Sequence, residues 1–257
     1  MLIALLNDAL EAEGFEEGEG FVKVYIPESG YNEAVFRKLM QPHNRYSVSV
    51  VENENWNAIW ENSFDPVIIG NFAAVRADFH ESVKYVAYEI VITPKMSFGT
   101  GHHATTSLML ESMQQNRCAG KKVADFGTGT GILAILAGKM GAEKVLAIDC
   151  DDWSIENAQE NFERNKCGEI KLVKEDHFPG GEKWDLILAN VNRHVILANM
   201  KNFQQNLNNG GLLIISGILQ EDRTEIESSA FRESFLAGSI RQKNNWLCMS
   251  FKKEAVV

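Results

Sequence analysis

The sequence predicts an α/β protein: a doubly wound, mostly parallel sheet that ends in an antiparallel hairpin, preceded by a small α+β domain. Three observations carry this. From residue 88 onward, apolar β-rich runs alternate with stretches of helical periodicity. Those runs are apolar at consecutive positions, as strands buried on both faces must be. Near the end, two β-rich segments flank Asn244-Asn245, a good hairpin turn.

Taken in order, residues 2–12 carry Leu2, Leu6, Ala9 and Leu10 at helical spacing, with Gly14 as a stop. Residues 21–26 alternate like a strand and end at Pro27, residues 33–40 read as a helix, and residues 46–50 alternate as a strand. That order suggests a ferredoxin-like α+β sandwich over residues 1–54, although such a fold begins with a strand and this chain begins on the helix. Trp56, Ile59 and Trp60 stand at i, i+3, i+4, which predicts a linker helix within residues 55–65. Residues 66–257 then form the large domain. Its strands are expected at 89–92, 122–126, 144–148, 170–173, 186–189 and 212–216, with helices at 105–113, 132–140, 154–165, 194–207 and 222–229. A hairpin at 235–241 and 246–252 closes the sheet. A terminal antiparallel hairpin is a feature of the methyltransferase variant of this architecture, not of the dinucleotide-binding one.

Composition narrows the function. Apolar residues make up 45% and charged residues 23%, as in soluble globular proteins. No apolar run approaches a membrane span, and residues 1–6 lack the basic start of a signal peptide. The four cysteines (Cys118, Cys150, Cys167, Cys248) form no Cys-x-x-Cys pair, which suggests reduced thiols, no metal site and a cytoplasmic protein. A net charge of -10 argues against direct nucleic-acid binding. Residues 1–60 hold ten acidic against four basic side chains, so this acidic lobe either steers a basic protein substrate or keeps the chain soluble. A monomer is expected.

The sharpest motif is Val123-Ala-Asp125-Phe-Gly127-Thr-Gly129-Thr-Gly131-Ile-Leu. An apolar strand ends in a carboxylate, runs into three alternating glycines, then opens a helix, at the strand end where doubly wound sheets bind ligands. Dinucleotides prefer G-x-G-x-x-G, and Asp125 would repel a pyrophosphate. The same carboxylate suits the cationic amino-acid portion of S-adenosylmethionine, directly or through water. Asp149, closing the next strand, can accept hydrogen bonds from both ribose hydroxyls. Asp176 follows the fourth strand and either contacts the adenine amino group or is a loop aspartate near His177. Asn190 ends the strand after that, where it can orient an amine, hold the cofactor's amino acid or cap the next helix.

Ahead of the glycine loop stands Pro94-Lys-Met-Ser-Phe98-Gly99-Thr100-Gly101-His102-His103-Ala-Thr-Thr106, which resembles the signature of the ribosomal protein eleven methyltransferases (PrmA). The resemblance continues through the glycine loop, Ile148-Asp149, Ala189-Asn190, Ser216-Gly-Ile-Leu219 and Trp246, and includes Asn55-Trp56 with Trp60. It implies a class I methyltransferase-like fold, S-adenosylmethionine as cofactor, and methylation of lysine and N-terminal amines of a large-subunit ribosomal protein presented by the N-terminal domain. By position, Thr106, Gly127, Asp149 and Asn190 match cofactor-binding residues, and Phe98, Gly99, Thr100 and Gly101 match a flexible active-site loop. Departures are Thr128 for a usual Cys, Ala104 in a frequent proline position, and Val191-Asn192 where Ile-Leu is common.

The sulfonium donor is already activated, so the chain's task is alignment and water exclusion. The acceptor must be a neutral amine, whereas a free lysine has a pKa of about 10.4. His103 is either a general base or a residue that orders the glycine-flanked loop. Met96 and Phe98 form an apolar wall or simply pack. Rival readings are a different protein or small-molecule acceptor, and a glutamine or base methyltransferase. The latter uses Asn-Pro-Pro-Tyr where this chain has Asn190-Val-Asn-Arg193. A nicotinamide oxidoreductase and a non-catalytic ribosome-binding protein complete the set.

Overall fold

The computed structural model describes residues 14–18, 21–26, 31–40, 46–49, 66–93 and 104–254. The chain forms two compact units, Met1–Asn55 and Trp56–Val257. The helix expected at 2–12, the linker helix at 55–65 and the Pro94-to-His103 signature lie outside the described residues.

In the first unit, strands β1 (Gly14–Gly18) and β2 (Phe21–Tyr25) pair antiparallel, with Gly14 opposite Tyr25 and Gly18 opposite Phe21. Helix α1 (Glu33–Met40) follows. It starts at Asn32, whose Oδ1 accepts from the backbone N–H of Ala34 (3.1 Å) and Val35 (3.2 Å) and so satisfies two orphan donors. Its apolar face buries Phe36 and Met40 against Val24, Ile26 and Tyr31. Gly14 opens β1, a strand hidden in the sequence by its consecutive Glu16 and Glu17. One expectation needs correction. Residues 46–49 form no strand, because among the described residues no neighbour offers them a ladder. Tyr46 instead meets Phe36 edge-on, with ring centroids 5.3 Å apart.

The second unit is a three-layer α/β structure. Its main sheet contains β6 (Lys122–Phe126), β7 (Lys144–Asp149), β8 (Lys171–Lys174), β9 (Trp184–Asn190), β10 (Leu207–Leu219), β11 (Phe235–Lys243) and β12 (Trp246–Lys253). The order across it is β11-β12-β10-β9-β6-β7-β8. Strands β6 to β10 run parallel, and β12 enters antiparallel between β10 and β11. Asn244 takes a left-handed φ of 55° in the hairpin turn that the sequence marked. Both faces are buried because successive side chains point to opposite sides. Thus Val123, Leu186, Leu188 and Ile214 enter one core, and Ala124, Ile187, Leu213 and Ile215 enter the other. Full burial of each larger side chain contributes about 1.5–3 kcal/mol.

Helices α2 (Ala104–Gln115), α3 (Ile132–Lys139) and α4 (Asp152–Arg164) cover the first core, while α5 (Arg193–Asn206) and α6 (Arg223–Arg232) cover the second. Asp151 caps α4 by accepting from Ser154 N–H at 2.9 Å, and Asn192 caps α5 by accepting from Val195 N–H at 3.0 Å.

One strand is reassigned. The run at 89–92, read from the sequence as part of the doubly wound sheet, is β5 (Tyr88–Ile92) of a separate three-stranded sheet with β3 (Val67–Ile69) and β4 (Ala73–Ala77). An apolar run shows that a strand is buried but not which strand it pairs with. This small sheet packs on the helices from outside, and Val75, Ile90 and Ile92 join the core of α2 and α3. Its edge β5 is closed by α4. Asn165 Oδ1 accepts from Val91 N–H (2.9 Å), and Asn165 Nδ2 donates to Val91 C=O (2.6 Å).

Candidate active site

Chain order and spatial order diverge at β6. The chain moves outward from β6 to β7 and β8, then returns to β9 on the other side of β6. The carboxyl ends of β6 and β9 therefore border a crevice that the connections leave open, the position where such sheets bind ligands.

On the β6 side, Gly127, Gly129 and Gly131 all have positive φ (73°, 54° and 81°). Gly127 is one position in the loop that strongly favours glycine. A Cβ there would lie 2.2 Å from Val191 Cγ1, so the loop approaches β9 closely only because this side chain is absent. The N–H groups of Gly127 and Thr128 both donate to Ile148 C=O at 2.9 Å, which fastens the loop to the end of β7. Asp125 is fully buried. Its Oδ2 accepts from Thr128 Oγ1 (2.7 Å) and from Ala134 N–H (3.2 Å), so the carboxylate joins the loop to the first turn of α3. Its Oδ1 is buried without a hydrogen-bond partner among the described residues. Burial pushes the Asp125 carboxyl up to about 7, against the opposing Thr128 and Ala134 hydrogen bonds.

Asp149 ends β7 half-buried. Its Oδ2 accepts from Gly129 N–H at 2.9 Å and its Oδ1 from Asp151 N–H at 3.1 Å. Each oxygen keeps a second lone pair, the capacity that a vicinal diol requires. Asp176 lies beyond β8 on an exposed turn, 2.7 Å from His177 Nδ1. The hydrogen bond from His177 lowers the Asp176 pKa, and the same bond raises that of His177.

Across the crevice, Asn190 ends β9 half-buried, and its Nδ2 donates to Thr106 Oγ1 at 3.4 Å. Thr106 is buried in the first turn of α2. The α5 cap is made by Asn192 and not by Asn190. The structure therefore places Gly127, Gly129, Asp149 and Asn190 at neighbouring strand ends, with Thr106 and Asp125 buried behind them, and sets Asp176 on an exposed turn beyond β8. Phe98, Gly99, Thr100, Gly101 and His103 lie outside the described residues. A separate cavity of about 590 Å³, between β3, α2 and β11, is lined by Ile69, Glu111 and Arg241 and includes none of these groups.

Two contributors were not singled out from the sequence. Gly217, with φ +87°, sits at a register shift in β10, and a Cβ there would lie 2.2 Å from the Val191 carbonyl oxygen. Val191 is thus held between two glycines, which sets the backbone that presents Asn190. The second is Asn161 on α4, whose spacing of four from Asn157 and Asn165 was the available signal.

The decisive comparison covers nearly the whole chain. The family model described as "Ribosomal protein L11 methyltransferase (PrmA)" matches residues 7–254. The chain belongs to the ribosomal protein L11 methyltransferase family. A family relative from Porphyromonas gingivalis is 37% identical over 252 residues, covering 95% of this chain and 87% of the relative. One from Phocaeicola vulgatus is 34% identical over 264 residues, covering 97% and 92%. The crystal structure of a ribosomal protein L11 methylase from Lactobacillus delbrueckii subsp. bulgaricus matches with a TM-score of 0.70 at 29% identity. That match covers 74% of this chain and all of that one. The family's mixed sheet with C-terminal antiparallel strands is the architecture described above. No helix among the described residues is long and apolar enough to cross a membrane.

Proposed function

We propose that this chain transfers methyl groups from S-adenosylmethionine to lysine side-chain and N-terminal amines of ribosomal protein L11. The observation that carries the reading is the pairing of two differently equipped strand ends in one crevice, in a chain matched by that family over residues 7–254. The residues fit the donor. Asp149 offers carboxylate oxygens for the ribose diol, the glycine loop offers close backbone approach, and the carboxylate of Asp125 suits a cationic amino acid beneath the loop. When bound, S-adenosylmethionine supplies an activated methyl group on a sulfonium.

The chain's own residues then bind, orient and exclude water. Asn190 directs its amide nitrogen to Thr106 and offers its carbonyl oxygen to an amine N–H, without the charge that would hold that amine protonated. In this reading Phe98, Gly99, Thr100 and Gly101 cover the donor, and His103 orders that cover or accepts the amine proton. Asp176 contacts the adenine amino group. Residues 1–54 form the substrate-recognition domain, of ferredoxin-like type, supported by the β1–β2 hairpin followed by α1. Their acidic excess suits a basic protein.

The test is transfer of labelled methyl to purified ribosomal protein L11, with intact mass and peptide mapping of the product. Gains in methyl units on lysines and the N-terminus are expected. Binding of S-adenosylhomocysteine without transfer would move the acceptor to another protein or a small molecule. No binding at all would overturn the reading.

A further inference from the structure

Helix α4 and its C-cap carry Asn157, Asn161 and Asn165 at four-residue intervals, all buried. Asparagine is a poor helix former, and a buried amide must be hydrogen-bonded at both ends to be tolerated. Asn165 satisfies this by pairing with Val91 on the edge of β5, which completes a sheet. Asn161 spends its amide differently. Its Nδ2 donates to the Thr130 carbonyl in the glycine loop at 2.8 Å, and its Oδ1 accepts from Thr93 N–H at 2.8 Å. Thr93 immediately precedes the 94–103 segment in sequence, and Thr130 stands between Gly129 and Gly131.

One fully buried side chain thus joins the glycine loop of the proposed donor site to Thr93, just beyond β5 and distant in sequence. The next residue strengthens the docking. A Cβ on Gly131 would lie 2.5 Å from Phe162 Cε1, so α4 presses against the loop at consecutive positions. Leucine at 161 would serve packing alone. An amide at 161 defines a separation between the loop and Thr93.

We propose that Asn161 is a positioning residue for methyl transfer, setting the glycine loop in register with Thr93 just beyond the end of β5. This rests on the functional reading above. Asn161 touches no reactant; it acts through Thr130 and Thr93. Losing the Thr130 bond lets the loop relax away from its donor-binding shape, while losing the Asn165 amide loosens the β5 edge and the last turn of α4 but leaves the side-chain bond to the loop.

The experiment compares Asn161→Ala, Asn161→Asp and Asn165→Ala in the full chain by melting temperature, calorimetric affinity for S-adenosylhomocysteine, and KM and kcat with ribosomal protein L11. Asn161→Asp keeps an acceptor for Thr93 but sets a carboxylate oxygen against the Thr130 carbonyl, so it tests the loop contact even if Asn161→Ala folds poorly. Both Asn161 variants should weaken S-adenosylhomocysteine binding and raise the S-adenosylmethionine KM about tenfold, the loss expected for one buried hydrogen bond. Asn165→Ala should lower the melting temperature at least as far while leaving that KM within about twofold, since it leaves the loop bond intact. Asn161 variants with reduced melting temperature and unchanged KM would overturn the proposal. So would a KM in Asn165→Ala that rises in step with its lost stability. The wild type is measured first. If it does not bind S-adenosylhomocysteine, the functional reading falls and this inference with it. If it binds and the Asn161 variants match it, this inference alone fails.

Discussion

The two sides of the crevice are built by different means. On the β6–β7 side, short hydrogen bonds tie the loop to itself. Asp125 binds Thr128 and Ala134, Asp149 binds Gly129 and Asp151, and Ile148 takes two loop amides. On the β9–β10 side, the Asn190 side chain has one long contact to Thr106, at 3.4 Å, and its backbone is held by pairing with Ser216 of β10 and by the packing of Val191 between Gly127 and Gly217. A hydrogen-bonded loop is preorganised before any ligand arrives, which suits a site that must recognise the same donor each time. A side chain placed by packing can adjust to an incoming amine. The comparison teaches that damage on the first side should appear in donor affinity and damage on the second in turnover.

The largest break should come from Gly127→Arg. It places a side chain at φ +73° and drives its Cβ into Val191 Cγ1. Binding of S-adenosylhomocysteine should fall by more than about a hundredfold, given the backbone strain and steric clash introduced together. Gly127→Ala should show part of this loss, and adding Val191→Ala should recover some of it by removing the clashing methyl. Calorimetric titration checks all three, and wild-type affinity in Gly127→Arg would show the donor site to be elsewhere.

Asn190→Ala separates the two sides. Its kcat should drop by about ten- to a hundredfold, the cost of misplacing a reacting group by roughly an ångström, with S-adenosylhomocysteine affinity within about threefold. An affinity that falls as far as kcat would instead place Asn190 with the donor-binding groups. Steady-state kinetics with calorimetry on the same preparation reads both.

The same two sides differ in how openly the sequence announces them. The β6–β7 side is local: Asp125, three glycines and Asp149 stand within one strand–loop–helix–strand unit, so their roles follow from spacing. The β9–β10 side depends on contacts across the sheet. Gly217 is one glycine in an apolar strand until Val191 is found against it. The polar stripe of α4 resembles a solvated face until β5 is seen to run along it, and β5 itself reads as one more strand of the large sheet. Strand β10 begins earlier than its apolar run because Asn208 to Gly211 looks like a turn, although Leu207 still pairs with Trp184. Periodicity reveals burial, but pairing is a tertiary fact.

A pH titration sharpens the first side. With Asp125 raised to about 7 by burial, the folded chain holds a proton that the unfolded chain, with an ordinary carboxyl, releases near pH 4. Between those limits the folded state binds more protons, so this group's contribution to stability falls as pH rises and is fully lost above about 7. Asp125→Asn keeps an oxygen acceptor for Thr128 and Ala134 and removes the titration. The melting temperature of the wild type relative to Asp125→Asn should therefore decline from pH 5 to about pH 7 and level off above it. A constant difference would mean that Asp125 ionises at an ordinary pH.

The smallest effect is expected on the rim. Asp176 has 83% of its side chain exposed and already holds His177, so water competes for whatever it binds. Asp176→Ala should weaken S-adenosylhomocysteine by only about two- to fivefold, as befits one exposed hydrogen bond. The informative control is S-inosylhomocysteine, which carries an oxygen where adenine has its amino group. An Asp176 that accepts from that amino group makes the wild type prefer the adenine ligand, and Asp176→Ala should remove the preference by weakening the adenine ligand alone. A preference unchanged by the substitution would reduce Asp176 to a loop carboxylate paired with His177. The donor side would then end at Asp149, entirely within the part of the crevice that its own hydrogen bonds hold in shape.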